Sequence, residues 1–479
     1  METNVIEQID ALFHAKTIAA FGISAKGGKL GNLLLQSYID IGYEGELVPI
    51  HPTATEIMGL KAYPSLEAFG KPIDLAFIAL HPAKVFDAVK DCVRSGAKGI
   101  IIFSSGFGER GVDGLRLQEE IVQYARSHGT RIIGPNCMGI YAPTSKISFF
   151  PGLPEEAGNV AFLSQSGSLA VQLICAAFLR GVKFSKAVSF GNSADIDLCD
   201  LLEYMAWDPE TKVITCYVEG IKRGNRFVKI AREVSKKKPI IIWKVGETPG
   251  GKKAAHSHTG SIGGDTDLWE KVFDQAGILR VRNVPEMIGH MGAFLNPYLP
   301  KGNRVAIISG PGGPAVSSAD ACEKSGLQLA TLTEETKQKV AQIIPEFGTS
   351  VQNPVDLSLA IAFDVALNYK AAEIVGKDPN VDCLLIYVSV LQKAIIKGII
   401  QVQKEIQKPI ALVATFDPAS IMPGGDRIKS LFQPLRPKKT PESLEKLYDN
   451  GISFHLTEQD AAKTLASLWK YQRFLQRSS

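Results

Sequence analysis

Two histidines pose the chemical question: His256 and His258, in the stretch Ala254-Ala255-His256-Ser257-His258-Thr259-Gly260-Ser261. A neutral imidazole is a good nucleophile near neutral pH, and a glycine-rich loop can carry it between two reacting partners. Taken alone the pair reads more readily as exposed histidines on a plain surface loop, so these residues by themselves do not establish chemistry. The apolar run Pro239–Val245 upstream reads as a buried strand. Between them, Gly246–Lys253 is rich in Gly and Pro and reads as a loop that no regular element tolerates. Downstream, Leu268, Val272 and Phe273 have helical spacing, which predicts a helix over Thr266–Ala276.

Two other turns carry residues suited to anions. Ser164-Gln165-Ser166-Gly167 puts two hydroxyls and a glycine where a strand gives way to a helix. That is either a serine N-cap or an anion site made of N–H groups, hydroxyls and the helix dipole. The first turn, Gly22-Ile23-Ser24-Ala25-Lys26-Gly27-Gly28-Lys29-Leu30-Gly31, lets backbone N–H groups approach a phosphate. Its spacing is not G-x-G-x-x-G, and the second strand is followed by His51-Pro52-Thr53 rather than a ribose-binding acid. Two lysines and no acid suit a phosphate-rich ligand better than NAD. Gly310-Pro311-Gly312-Gly313-Pro314 and Asn353-Pro354-Val355-Asp356-Leu357 read as turns.

The elements that must position these residues alternate regularly. Strands are expected at Thr17–Gly22, Glu46–Ile50, Asp74–Leu80, Gly99–Phe103 and Arg131–Gly134, with helices over Asn32–Ile41, Ala83–Arg94 and Leu115–Ser127. A second series follows: strands Asn159–Ser164, Lys186–Gly191, Lys212–Glu219 and Pro239–Val245, with helices Ser168–Arg180, Leu198–Ala206 and Asn225–Ser235. A third opens at Asn303–Ser309, with further strands at Val381–Val390 and Pro409–Ala414 and a terminal helix over Ala461–Phe474. Apolar strands without polar alternation, separated by helices, predict parallel doubly wound sheets. Ser420–Glu442 reads as a loop or insertion.

At roughly 150 residues per domain, 479 residues make about three domains. The expected boundaries are 1–150, 151–298 and 299–479. A net charge of +4 with no dense basic stripe argues against nucleic acid as partner. The seven cysteines are scattered with no Cys-x-x-Cys, so neither a zinc nor a redox centre is expected, and no metal ligand set is assigned. The acidic N-terminus is unlike a signal peptide, and no apolar run reaches the ~20 residues of a membrane span. A cytoplasmic protein without membrane contact is expected.

Taken in order, Gly22-Ile23-Ser24, Ile133-Gly134-Pro135-Asn136-Cys137, Leu163-Ser164-Gln165-Ser166-Gly167, Tyr217-Val218-Glu219-Gly220 and Ser257-His258-Thr259-Gly260 resemble a known family. It is the α subunit of the NDP-forming acyl-CoA synthetases, the ADP-forming acetyl-CoA synthetases related to succinyl-CoA synthetase. Gly312-Gly313-Pro314 and Asn353–Leu357 also fit, and the match covers nearly the whole chain. The resemblance implies a Rossmann-like CoA-binding domain followed by two flavodoxin-like domains. It implies that coenzyme A lies against Gly22, Ser24, Ala25, Lys29, Pro52, Ser104 and Ser105, and that Asn136 and Cys137 belong to the acyl pocket. His258 would become phosphorylated, Glu219 would hold its imidazole, and Ser164, Gln165, Ser166 and Gly167 would receive the phosphoryl group. A carboxylate on the other ring nitrogen and preorganised donors around the phosphoryl charge are what such an intermediate needs.

The implied reaction converts acyl-CoA, phosphate and ADP into carboxylic acid, CoA and ATP, through an acyl phosphate and phosphohistidine. The family's ATP-grasp domain would add roughly 200 residues to a chain already filled by three units. A separate ATP-grasp β subunit holding ADP and magnesium is therefore expected, in an α2β2 assembly. The histidine loop would swing between sites, with Gly246, Gly250, Gly251 and Gly260 as hinges. Three features depart from the family pattern: His256 in place of a small residue, Val171 where succinyl-CoA synthetase has a tyrosine, and a long Ser420–Glu442. Two other readings stand beside this one: a non-catalytic CoA-binding regulatory or scaffold protein, and an NAD-dependent dehydrogenase.

Overall fold

Leu75-Ala76-Phe77-Ile78 and Gly99-Ile100-Ile101-Ile102 are buried along their whole lengths. Strands of that kind need helices on both faces of their sheet. The structure, a computed structural model, describes residues 3–259, 266–310, 312–358, 361, 364–388, 391–414 and 442–478. Of residues 3, 4, 256–259 and 266 it describes the main chain only. The described residues form two compact units, one of residues 3–176 and 183–280, the other of 177–182, 281–414 and 442–478.

The first unit holds two sheets. Its opening elements are α1 (Thr3–Phe13), β1 (Thr17–Phe21), α2 (Leu30–Asp40), β2 (Glu46–Ile50), the small hairpin β3 (Glu56–Ile57) and β4 (Leu60–Lys61), and α3 (Leu66–Phe69). Then come β5 (Leu75–Ile78), α4 (Pro82–Arg94), β6 (Gly99–Ile102), α5 (Val112–Ser127), β7 (Arg131–Ile133) and β8 (Gly139–Tyr141). The first sheet is parallel, in the order β2-β1-β5-β6-β7. The second is built from β9 (Val160–Ser164), α6 (Gly167–Phe178), β10 (Phe184–Ser189), α7 (Leu198–Trp207), β11 (Val213–Val218), α8 (Gly224–Ser235) and β12 (Ile240–Lys244). It is completed by α9 (Pro249–Thr259), α10 (Thr266–Ala276) and β13 (Leu279–Val281), in the order β13-β12-β11-β9-β10-β8. Its edge strand β8, absent from the sequence reading, pairs antiparallel with β10.

One apolar core runs through both sheets, joining Phe77, Ile101 and Ile133 to Cys137, Ile140, Leu163 and Val188. Helix α1 is fastened to α7, where Phe13 stacks on Tyr204 with ring centroids 5.2 Å apart. The Tyr204 hydroxyl donates to Asp10.

The second unit begins with α11 (Val284–Leu295), β14 (Arg304–Ser309), α12 (Gly312–Lys324), β15 (Gln328–Leu329), α13 (Glu334–Ala341), β16 (Val355–Asp356) and α14 (Ala366–Gly376). It continues with β17 (Cys383–Val388), α15 (Lys393–Ile406), β18 (Ile410–Ala414), α16 (Glu442–Asp449), β19 (Ile452–His455) and α17 (Glu458–Ser478). The order is β15-β14-β17-β18-β19, with β16 taking up pairing on β14 beyond β15. Asn353 fills the gap: its amide donates to the carbonyls of Val305 and Ala330, and its oxygen accepts from the Ile307 N–H. Pro311 and residues 420–441 of the expected insertion lie outside the described residues.

In each sheet a central strand, β1, β9 or β14, therefore has the next strand (β2, β10 or β15) on one side and a later one (β5, β11 or β17) on the other. In such sheets the loops leaving the first and third strands part in opposite directions, opening a crevice at the carboxyl ends. The expected doubly wound parallel architecture is the one observed.

The second unit also buries two imidazoles. In His290, Nδ1 lies 2.8 Å from the Glu286 carbonyl and Nε2 lies 3.0 Å from the Ser467 hydroxyl, an arrangement that suits a neutral ring protonated at Nδ1. Burial lowers the pKa of His290 to about 4 and that of His455 to about 3. Below pH 6.5 the unfolded chain binds these protons and the folded unit does not. Stability should therefore be complete above pH 6.5 and fall as pH drops towards 4, by about 1.4 kcal/mol per imidazole per pH unit. Calorimetry at pH 7.5 and 5.0 should show the second unit melting earlier in acid, and His290→Gln should reduce that dependence by about half.

Candidate functional site

The crevice of the second sheet opens where β9 ends at Ser164 and β11 ends at Val218. Ser164 turns its hydroxyl into its own loop, donating to the Ser166 carbonyl at 2.7 Å and accepting from the Ser166 N–H at 3.1 Å. Ser166 caps α6, its hydroxyl accepting from the Leu169 N–H at 3.4 Å and lying 3.5 Å from the exposed Ser168 hydroxyl. Gln165 reaches across the crevice: its side-chain oxygen accepts from the N–H groups of Glu219 and Gly220, the latter at 3.0 Å. So Ser164 and Gln165 fix the two loops, while Ser166, Gly167 and the start of α6 supply the hydroxyl and positive helix end.

Glu219 is buried immediately beyond β11. Behind it stands a residue that sequence reasoning passed over, the buried Lys244. Its ammonium donates to the Glu219 carbonyl at 2.8 Å and to the Val245 carbonyl, and sits 5.3 Å from the centre of the Trp269 ring. Burial pushes the Lys244 pKa down, opposed by the charges of Glu247 and Glu219. A lysine ending a strand of isoleucines was the available signal.

The segment expected as a loop over Gly246–Lys253 is helical from Pro249 onwards. Thr248 starts the helix: its hydroxyl accepts from the Gly251 N–H at 3.1 Å and its carbonyl from the Lys252 N–H at 2.7 Å. Pro249 supplies a pre-set φ at the first helical position, so capping outweighs the poor propensity of two glycines. Gly250 and Gly251 are thus helical rather than hinges; Gly246, with φ +74°, keeps the pivot geometry, and Gly260 lies outside the described residues. The main chain of His256 and His258 belongs to α9, while their side chains lie outside the described residues. Helix α9 packs against the short helical turn Gly108–Arg110 that follows β6.

That turn borders a cavity of about 420 Å³ beside Gln165 and Gly220. Leu115, Phe190, Leu198 and Ile221 give it apolar walls. Asn192, also in the wall, joins the two sheets: its amide donates to Glu109 at 2.6 Å and to Gln118 at 3.2 Å, and its oxygen lies 3.4 Å from the Asn136 amide. The Asn192 N–H donates to the Pro135 carbonyl and the Ala194 N–H to that of Gly134. Lys222 ties down the same loop, donating to the carbonyls of Asn192 and Ser193. Asn136 and Cys137 do not themselves line this cavity. The Cys137 thiol is buried against the carbonyls of Ile102 and Ile133, and burial raises its pKa, so it is a packed, protonated side chain.

The residues expected to meet coenzyme A gather at the carboxyl edge of the first sheet. Gly22 and Ser24 follow β1, Pro52 follows β2, and Ser104 and Ser105 follow β6. Gly22 has φ +84°, and a Cβ there would lie 2.1 Å from the Ala79 carbonyl, so only glycine lets the loops after β1 and β5 cross this closely. Asn32 clamps the main chain of Ser24 through both ends of its amide. Ala25 and Lys29 are exposed, and the buried Ser104 hydroxyl donates to the Leu80 carbonyl. His51, standing where a dinucleotide fold would have an acid, accepts from the Ala54 N–H at 3.0 Å. Among the described residues no group of three His, Cys, Asp or Glu side chains is placed to hold a metal, and no helix is long and apolar enough to cross a membrane.

Parallel sheets with crevices at the carboxyl ends of their central strands define a doubly wound, ligand-binding class of α/β protein. The chain matches three families: a CoA binding domain over residues 16–143, a succinyl-CoA ligase like flavodoxin domain over 157–294 and a ligase-CoA domain over 305–399. It is 36% identical over 467 residues to the alpha subunit of acetate–CoA ligase [ADP-forming] II of Pyrococcus furiosus, covering 96% of this chain and 97% of that one. Acetate–CoA ligase [ADP-forming] I of Archaeoglobus fulgidus is 35% identical, over 79% of this chain; the chain spans only 54% of that relative. Among solved structures, the dinucleotide forming acetyl-coenzyme A synthetase 1 of Ca. Korarchaeum cryptofilum, in complex with phosphate and ADP, superposes with a TM-score of 0.82 at 32% identity, covering 98% of both chains. The chain belongs to the family of ADP-forming acyl-CoA ligase α subunits.

The interlock of the two sheets is testable at Gly191. Its φ is +48°, and a Cβ there would lie 2.2 Å from the Asn136 carbonyl oxygen and 2.4 Å from that of Pro135. Gly191→Ala should destabilise the first unit by roughly 2–4 kcal/mol, read by urea denaturation, with CoA affinity falling in parallel.

Proposed function

We propose that this chain is the catalytic α subunit of an ADP-forming acyl-CoA synthetase that works through phosphorylated His258. The observation that carries the reading is the crevice between β9 and β11, where the capped start of α6 and the buried Glu219 lie at the strand ends that precede the histidine helix. Coenzyme A binds along the carboxyl edge of the first sheet, at Gly22, Ser24, Ala25, Lys29, Pro52, Ser104 and Ser105. Phosphate attacks the thioester carbonyl near Asn136, the carbon–sulfur bond breaks, and acyl phosphate forms with release of CoA. The imidazole of His258 attacks phosphorus, the phosphorus–oxygen bond breaks, and the carboxylate leaves. Glu219 holds the other ring nitrogen, and Ser164, Gln165, Ser166 and Gly167 organise the donors that receive the phosphoryl charge. Positioning and charge stabilisation, rather than acid–base chemistry, carry each transfer.

The last step, attack of the ADP β-phosphate on phosphohistidine with cleavage of the phosphorus–nitrogen bond, belongs to a partner. We assign ADP and magnesium to an ATP-grasp β subunit, in an α2β2 cytoplasmic assembly. Two facts support this: relatives of matching length are called alpha subunits, and longer relatives extend well beyond this chain. Three domains, with boundaries expected near residues 150 and 298, suit the division of labour between CoA binding, phosphoryl transfer and the third sheet, although β8, before residue 150, completes the second sheet.

Intact mass and acid-labile phosphate after exposure to acetyl phosphate and other acyl phosphates test the reading. One acid-labile, base-stable phosphoryl group should appear, survive in His256→Asn and vanish in His258→Asn. Loss in His256→Asn instead moves the site by two residues. No phosphorylation from any donor, with CoA still bound, makes the chain a CoA-binding regulatory protein. Glu219→Gln should slow phosphorylation by about 10–100-fold without weakening CoA binding.

A further inference from the structure

Both ends of the histidine-bearing segment are held by the same two cations, the half-buried Arg280 and the buried Lys244. Arg280, on β13, pairs with Glu247 just before α9 and with Glu270 on α10, so a single guanidinium spans residues on either side of the segment. Lys244 does the same from the other strand: its ammonium holds the Val245 carbonyl at the first root and lies against Trp269 at the second. It also holds the Glu219 carbonyl at 2.8 Å, which links both roots to the crevice.

The cluster is not fully satisfied. Among the described residues, the buried atoms Glu247 Oε1, Trp269 Nε1 and Arg280 Nε find no hydrogen-bond partner. Unmatched polar atoms make a closed cluster less favourable than a fully paired one, because each regains a partner from water on opening. A permanent structural fixture would be expected to pair them; an arrangement that opens in use need not.

We propose that Arg280 and Lys244, with Glu247, Trp269 and Glu270, form a clasp that holds the two roots of the histidine segment together beside the crevice and opens as one unit when the segment leaves. Arg280 and Lys244 are positioning residues in this scheme. The proposal rests on the phosphohistidine reading for its purpose, but the clasp itself can be tested without catalysis.

Hydrogen–deuterium exchange on the whole chain is the first arm. Arg280→Ala and Glu247→Gln should raise amide exchange over Pro249–Thr259 by about tenfold while β9 and β11 stay protected. Arg280→Lys, which reaches only one carboxylate at a time, should fall between. Unchanged exchange in α9, or a rise spread over the whole second sheet, overturns the clasp. The second arm is single-turnover phosphoryl transfer in the assembled enzyme. Arg280→Ala should slow phosphorylation by acyl phosphate about tenfold and leave discharge to ADP unchanged or faster. Equal slowing of both steps means a purely structural residue and rejects the proposal. If the parent chain is never phosphorylated, the functional reading fails while the exchange result still decides the clasp.

Discussion

Much of the site hangs on one amide oxygen. Gln165, at the end of the central strand of the second sheet, accepts from two successive N–H groups at the end of the neighbouring strand. In a doubly wound sheet these are the two loops that topology drives apart, so nothing in the strand ladder beyond them keeps their ends in register. The side chain replaces the missing rungs and sets where Glu219 begins. A capped helix start on one side and a carboxylate on the other then have a fixed relation before any ligand arrives, as electrostatic preorganisation requires.

The charges around that crevice are arranged economically in space. Lys244 neutralises part of the field of Glu219 while spending its donors on main-chain carbonyls rather than on the carboxylate. Asn192 and Lys222 bind the loop beyond β10 to the first sheet and to itself. The mouth of the cavity is thus framed by hydrogen bonds from Lys222 to backbone carbonyls and from Asn192 to the side chains of Glu109 and Gln118. Among the described residues, burial lowers the pKa of the imidazoles His290 and His455, both in the other unit.

The fold was largely legible. Apolar runs such as Ile240–Lys244 lack alternation because they are buried on both faces, and that pattern survives without tertiary information. Short elements were not legible: β8 is three residues long, and its pairing partner β10 lies more than 40 residues away. The start of α9 was misread because two glycines outweighed a Thr-Pro capping pair in a local reading, whereas the hydrogen bonds of Thr248 reverse that balance. In the site, glycine and serine turns announced themselves by type. Gln118, Asn192, Lys244 and Arg280 did not, since their importance comes from partners far along the chain.

The edge strand β8 has a consequence for how this protein can be divided. It follows the last strand of the first sheet by only a few residues, yet it closes the outer edge of the second. A cut made between the two sheets at the end of β7 would send β8 away with the second half, and a cut at residue 150 would strip it from β10. The latter leaves a row of unpaired backbone groups on β10, a template for intermolecular association. A recombination or protein-engineering junction that respects the sheets must therefore fall within the few residues between Ile133 and Gly139, where the chain is already committed to the interlock with Asn192. A junction anywhere else divides an edge strand from its partner, and even there it cuts through the apolar core the two sheets share.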